Sequence, residues 1–153
     1  MAMISEDSLK IAIDFDGTIV EHKYPEIGEE MLFAFDTLKA LQEKGHKLIL
    51  WTYRSGRRLE EAVEYCESKG IKFYSINSSY PEEVMNEEIS RKIDADLFID
   101  DRNVGGFLGW GIIYQMLHPE DGEFNHQLKN AEAHHNHQKK SGGLKSKFKT
   151  WFT

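Results

Sequence analysis

Leu9-Lys10-Ile11-Ala12-Ile13-Asp14-Phe15-Asp16-Gly17-Thr18 is a short β-branched apolar run that ends in Asp-Gly. This pattern predicts a buried first strand, Leu9 to Phe15, running into a sharp turn. Beyond a polar stretch holding Pro25 and Gly28, Glu29 to Lys44 places Met31, Phe35, Leu38 and Leu41 at helical spacing, and Gly45 supplies a stop. His46 to Thr52 predicts a second buried strand. Gly56 to Lys69 repeats the helical pattern with Leu59, Ala62, Val63 and Cys66 before Gly70, and Ile71 to Ile76 predicts a third strand. Asn77 to Ser90 is polar, contains Pro81, and is expected to hold a loop and a short helix. Asp96 to Asp100 predicts a fourth strand and Gly111 to Gln115 a fifth. Strands alternating with Gly-terminated helices give an α/β fold: a Rossmann-like parallel sheet of about five strands flanked by helices in three layers, with ligands expected at the carboxyl ends of the strands. No repeat at solenoid spacing competes with that expectation.

The chain of 153 residues with 40% hydrophobic content suits one compact domain. Its formal net charge of -7 argues against a nucleic-acid-binding role for the whole surface, because phosphate backbones are gripped by clustered Lys and Arg. Capture of an anionic substrate must then be local. One cysteine, Cys66, cannot form an intramolecular disulfide, and Met1 to Lys10 has no apolar core of signal-peptide length, so a cytoplasmic location is expected. No apolar run approaches the ~20 residues that cross a bilayer. From about Asn125 the composition shifts to Asn, Gln and His, then to Lys139, Lys140, Lys145, Lys147 and Lys149 interleaved with Leu144, Phe148, Trp151 and Phe152. Residues 1–124 are thus expected to form the core domain and 125–153 a basic tail, solvated or loosely docked, with an amphipathic surface-binding helix as the sharper alternative. His134, His135 and His137 lack the carboxylate or cysteine partners of a dedicated metal site.

Side chains alternate along a strand, so Asp14 and Asp16 are expected on the same side where strand one ends, unless the turn at Gly17 swings Asp16 out. Alone, Asp-x-Asp-Gly is a common turn or cap. A second acidic pair, Asp100-Asp101, also follows an apolar strand, Leu97 to Ile99, and the fold class brings strand ends together. Unit charges ~4 Å apart repel by ~4 kcal/mol at an effective dielectric near 20, so four carboxylates in one crevice call for a cation. Hard oxygen ligands in this number suit Mg²⁺, which binds through a few carboxylates together with substrate phosphate.

These residues resemble the haloacid dehalogenase superfamily of phosphohydrolases. Its first motif is similar to Asp14-Phe15-Asp16-Gly17-Thr18-Ile19-Val20, its second to Leu48-Ile49-Leu50-Trp51-Thr52, and its fourth to Phe98-Ile99-Asp100-Asp101-Arg102-Asn103. The third motif is a basic residue ahead of the fourth strand, for which Lys92 and its rival Arg91 stand ready. The resemblance covers about Leu9 to Tyr114. It implies a Mg²⁺-dependent phosphatase in which Asp14 attacks phosphorus to form a phospho-aspartyl intermediate. Asp16 shuttles protons, Thr52 and Lys92 hold the phosphoryl group, and Gly17 and Thr18 let the backbone pass close to it. Asp14, Asp16, Asp100 and Asp101 would surround the metal, with Asp101 slightly favoured over Asp100 as direct ligand. Neither Glu21 to Glu30 nor Asn77 to Ser90 has room for a cap domain, so an open crevice is expected. Tyr53, Arg54, Arg57 and Arg58 should stand at its mouth with Glu21, His22 and Tyr24 from the first loop, and Arg54 is the best candidate to pair with a second phosphate or carboxylate.

The expected partner is a phosphorylated small molecule or an accessible macromolecular phosphate, with a homo-oligomer as a further option. A phosphorylation-switched receiver domain uses similar groups but places the acidic pair after strand one, the reverse of the order here. The remaining alternatives are a polynucleotide-end phosphatase and a non-catalytic phosphate- or partner-binding module that uses the basic tail.

Overall fold

The computed structural model describes residues 8–129. The basic tail residues Lys139, Lys140, Lys145, Lys147, Lys149, Leu144, Phe148, Trp151 and Phe152, and the cluster His134, His135 and His137, lie outside them. The chain divides after Leu108 into two compact units.

The first unit is built on β1 (Lys10–Ile13), α1 (Ala34–Glu43), β2 (Lys47–Leu50), α2 (Gly56–Ser68), β3 (Ser75–Ile76) and β4 (Leu97–Ile99). The strands form one parallel sheet in the order β3-β2-β1-β4, an α/β fold with the sheet flanked by helices. Ile11, Ala12 and Ile13, like Leu48, Ile49 and Leu50, are buried on both faces of the sheet, which explains why the two central strands are continuous apolar runs and not alternating ones. Ala12 and Ile49, side by side in register, pack with Ile93, Trp51, Tyr74 and Ala95. From β1 the chain moves one way to β2 and β3 and later returns to the other side as β4. The carboxyl ends of β1 and β4 thereby flank a topological switch point, where a crevice opens in sheets of this kind.

Three expectations are corrected. The first helix begins at Ala34 and not near Glu29, because the preceding residues are used in a small flap. Val20 bridges Glu30 antiparallel, the Glu21 N–H donates to Glu29 O at 2.7 Å, and the Met31 N–H donates to Ile19 O at 2.9 Å. Ile19 and Val20 are fully buried beneath it, and burying two such side chains contributes roughly 1.5–3 kcal/mol each. No helix forms over residues 77–90. There the Ser79 N–H is taken by Glu83 Oε1 at 3.0 Å and the Glu88 N–H by Asn86 Oδ1 at 2.8 Å, and such side-chain acceptors compete with helical bonding.

The third correction lies in the second unit. Gly111 to Gln115 is not a fifth strand but part of α3 (Trp110–Leu117), which leaves four strands among the described residues. A short apolar run does not by itself distinguish the two, and here burial at Trp110 and Tyr114 follows the i, i+4 spacing of a helix. Tyr114 packs its ring 4.8 Å from Phe124 of α4 (Gly122–Gln127) and donates to Asp121 Oδ2 at 2.8 Å. Helix α4 straddles the expected boundary between core and tail, after residue 124. Among the described residues no helix is long and apolar enough to cross a membrane.

Candidate metal centre

Asp14 directly follows β1, and its N–H continues the ladder to Ile99 O at 3.0 Å. Asp100 and Asp101 directly follow β4. The switch point thus brings the three carboxylates together, with one oxygen of each within 4.8 Å of the others. Burial is the main reason that the Asp14 carboxyl is pushed up to about 8, followed by its hydrogen bond with Asp101 and the charge of Asp100. A half-buried carboxyl that resists ionisation beside two others is the electrostatic situation a cation relieves, and an all-carboxylate donor set fits a hard divalent ion. This cluster could hold a metal ion.

The turn that follows β1 shapes one wall. The Thr18, Ile19 and Val20 N–H groups all converge on Phe15 O, and Gly17 has φ +85. A Cβ at Gly17 would fall on the Asp101 carboxylate, 2.7 Å from its Cγ, so the residue is glycine both for its backbone angle and for the space beside it. Thr18 is buried and its hydroxyl lies 3.4 Å from Asp14 Oδ2 and 3.5 Å from Asp101 Oδ1. Replacing Gly17 with Ala is expected to weaken divalent-cation binding about 10- to 100-fold, the range for disturbed outer-shell support. Titrating cation against melting temperature checks this, and an unchanged midpoint would contradict the packing described.

Asp16, expected as a fourth carboxylate of the cluster, is directed elsewhere. Its Oδ2 accepts from Arg54 Nε and its Oδ1 from Arg54 Nη2, both at 2.8 Å. Arg54 is correspondingly not at the mouth and not available to a second anion. It is 1% exposed, and its remaining donors go to Pro25 O at 3.0 Å, Glu26 O at 2.8 Å and Arg58 O at 3.5 Å. The guanidinium lies 5.1 Å from the Phe15 ring centre and 5.2 Å from that of Tyr24. It ties the end of β2 to the first motif and to the loop that follows it.

Thr52 stands where expected, just past β2, where the Trp51 N–H continues the ladder to Ile13 O at 2.8 Å. Its hydroxyl oxygen accepts the Arg54 N–H at 3.2 Å, which leaves the hydroxyl hydrogen to be donated. Asn77 is a residue that the sequence patterns do not single out. It adopts φ 51 at the end of β3 and accepts the Thr52 N–H on Oδ1 at 2.8 Å. The available signal is the residue type, since Asn is among the few side chains that tolerate left-handed backbone. Lys92 is exposed, with its ammonium 5.7 Å from the Phe98 ring centre. That contact is with β4 and not with the Asp14 cluster. Arg91 is likewise exposed.

Of the residues expected at the mouth, Tyr53 is 92% exposed and meets Tyr24 edge to face at 6.4 Å. Arg57 and Arg58 both pair with Glu61, at 3.3 and 3.0 Å. Glu21 pairs with Lys23 at 3.9 Å, and His22 Nε2 lies 3.5 Å from Arg102 Nη2. Asp100 caps its own turn, with Oδ1 accepting the Arg102 N–H at 2.9 Å and its carbonyl accepting from Asn103 Nδ2 at 2.6 Å.

No family model matches the chain, and no curated protein matches it. Among solved structures, the chain is similar to a conserved protein of Bacteroides thetaiotaomicron, at 57% sequence identity over 74% of this chain and 93% of that one, with a TM-score of 0.70. Identity at that level over nearly the whole of the other protein carries both sequence and fold, and the chain belongs to the family of that Bacteroides conserved protein.

Proposed function

We propose that this protein is a phosphohydrolase of the haloacid dehalogenase type, which cleaves a phosphate monoester through a phospho-aspartyl intermediate on Asp14. The observation that carries the reading is the meeting of Asp14, Asp100 and Asp101 at the β1/β4 switch point, with Thr52 on the adjacent strand end. Motif order supports it: the resemblance places Asp14-Phe15-Asp16-Gly17-Thr18 first, Thr52 second and Asp100-Asp101 last.

Asp14, Asp100 and Asp101 would hold Mg²⁺, which when bound offsets the repulsion between the Asp14 carboxylate and an incoming phosphate. An Asp14 carboxylate oxygen attacks phosphorus and the phosphorus–ester oxygen bond breaks. Thr52 donates its hydroxyl hydrogen to a phosphoryl oxygen. The leaving alkoxide takes a proton from Asp16. Water then attacks the phosphorus of the phospho-aspartate and gives a proton to Asp16, which regenerates Asp14 and releases inorganic phosphate. Because both oxygens of Asp16 are bonded to Arg54, one must leave the guanidinium before it carries a proton. Lys92, or Arg91, would supply the third-motif positive charge to the phosphoryl group.

Phosphate release from sugar phosphates, nucleotides, an aryl phosphate and 3′-phosphorylated oligonucleotides, each with and without Mg²⁺, tests the proposal. Mg²⁺-dependent release from at least one class is expected, and release from the oligonucleotide alone would select the polynucleotide-end alternative. No release from any of them sinks the catalytic reading. In the same assay Thr52→Val, which keeps the shape and removes the hydroxyl, is expected to lower kcat/KM by about 10²- to 10³-fold, the usual cost of one oxyanion donor.

A further inference from the structure

We infer that Tyr24 and Tyr53 form an aromatic corner that receives a flat, unsaturated leaving group, so that the preferred substrates are phosphate monoesters of aromatic alcohols. The inference rests on the phosphatase reading and names its substrate class.

Three observations converge. First, Tyr53 is almost wholly exposed although it directly follows Thr52 and precedes the buried Arg54. The 52–54 turn is fixed by the bond from the Arg54 N–H to Thr52 Oγ1 and by the hold of Asn77 on the Thr52 N–H, so a rigid backbone presents an exposed ring beside the strand end that carries the phosphate-binding hydroxyl. Second, Tyr24 is backed by the Arg54 guanidinium at 5.2 Å and meets Tyr53 at 6.4 Å with the ring planes at 67°. Two rings at that angle make an open corner, and a third flat group completes the offset or edge-to-face contacts that aromatic rings favour. Third, the cation that backs the corner is committed. Arg54 spends its donors on Asp16, Pro25 and Glu26, while Arg57 and Arg58 share Glu61. Arg54 thus offers no donor to a second phosphate or carboxylate, whereas a flat ring can meet the exposed Tyr53 and the open side of Tyr24.

Benzyl phosphate and butyl phosphate separate the ring from its chemistry, since both release a primary alcohol. Calorimetric titration of each into Asp14→Asn with Mg²⁺ present measures binding without turnover, and wild-type phosphate release from each measures catalysis. Benzyl phosphate is expected to bind about five-fold more tightly than butyl phosphate, the size of one added aromatic pair. The preference should vanish when Tyr53→Ala is added to Asp14→Asn and persist with Tyr53→Phe. Equal binding of the two esters, or a preference that Tyr53→Ala leaves intact, overturns the inference even if wild type hydrolyses both, and the phosphatase reading then stands alone. A Tyr53-dependent preference without any phosphate release upholds the corner as a binding site and overturns the catalytic reading. If neither ester binds nor is cleaved, both are overturned.

Discussion

Asp14→Asn is expected to abolish turnover and, in the absence of divalent metal, to raise the melting temperature at pH 8.5. The two effects have one cause. The carboxylate proposed to attack phosphorus is half-buried, and burial, then the hydrogen bond with Asp101 and the charge of Asp100, push its pKa up to about 8 from an ordinary 3.8. Between those values the folded protein holds a proton that the unfolded chain releases, so stability falls as pH rises through this window and the full penalty applies above it. Asparagine carries no charge to penalise. Wild type and variant should therefore melt together near pH 4, diverge as pH rises, and differ most above pH 8. Mg²⁺ held by this cluster would bind the ionised form and should stabilise wild type by mass action, with a smaller gain in the variant. Melting curves in chelator and in Mg²⁺ across pH 4 to 9 provide the measurement. If wild type without metal melts at or above the variant at pH 8.5, the crowded-carboxylate account fails. If the variant turns over, Asp14 is not the nucleophile.

Arg54→Ala is expected to be among the most destabilising single changes in the protein. Arg54 is a fully buried cation with a bidentate partner, and removing one member of such a pair leaves the other charge uncompensated, at a cost of roughly 3–5 kcal/mol. It also strands the Pro25 and Glu26 carbonyls and empties the slot between Phe15 and Tyr24. For a chain of this length the melting temperature should fall on the order of 10 °C. Arg54→Lys keeps the charge, but a point ammonium cannot span both Asp16 oxygens and the loop carbonyls at once, so it should recover only part of the loss. A double-mutant cycle with Asp16→Asn measures the coupling. Independent, additive losses would contradict the pairing as described.

The acidic cluster is legible in the sequence because each half is a local pattern: an apolar strand ending in Asp14, and another ending in Asp100-Asp101. Parallel topology does the rest, since strands β1 and β4 must end on the same edge. Thr52 is legible for the same reason. Gly111 to Gln115 misleads because a short run, Ile112-Ile113-Tyr114, satisfies a strand and a helix equally, and only the burial of Tyr114 against Phe124 and its bond to Asp121 decide between them. The early part of the first expected helix is lost to the flap, where Glu29, Glu30 and Met31 pair with Ile19, Val20 and Glu21. Intrinsic propensity is a weak preference, and a ladder over a buried Ile-Val pair outweighs it.

What sequence alone determined is the parallel α/β scheme and the position of Asp14, Thr52, Asp100 and Asp101 at strand ends, because periodicity and turn residues are properties of neighbours in the chain. What only tertiary structure decided is the fate of Asp16 and Arg54. Residue type places both at the site, one on a metal and one on a substrate, yet they hold each other across 38 positions of sequence. No local pattern records that choice. It follows from the loop after Val20 closing over Arg54, which takes the guanidinium out of water and leaves Asp16 and the loop carbonyls as the acceptors that can satisfy it.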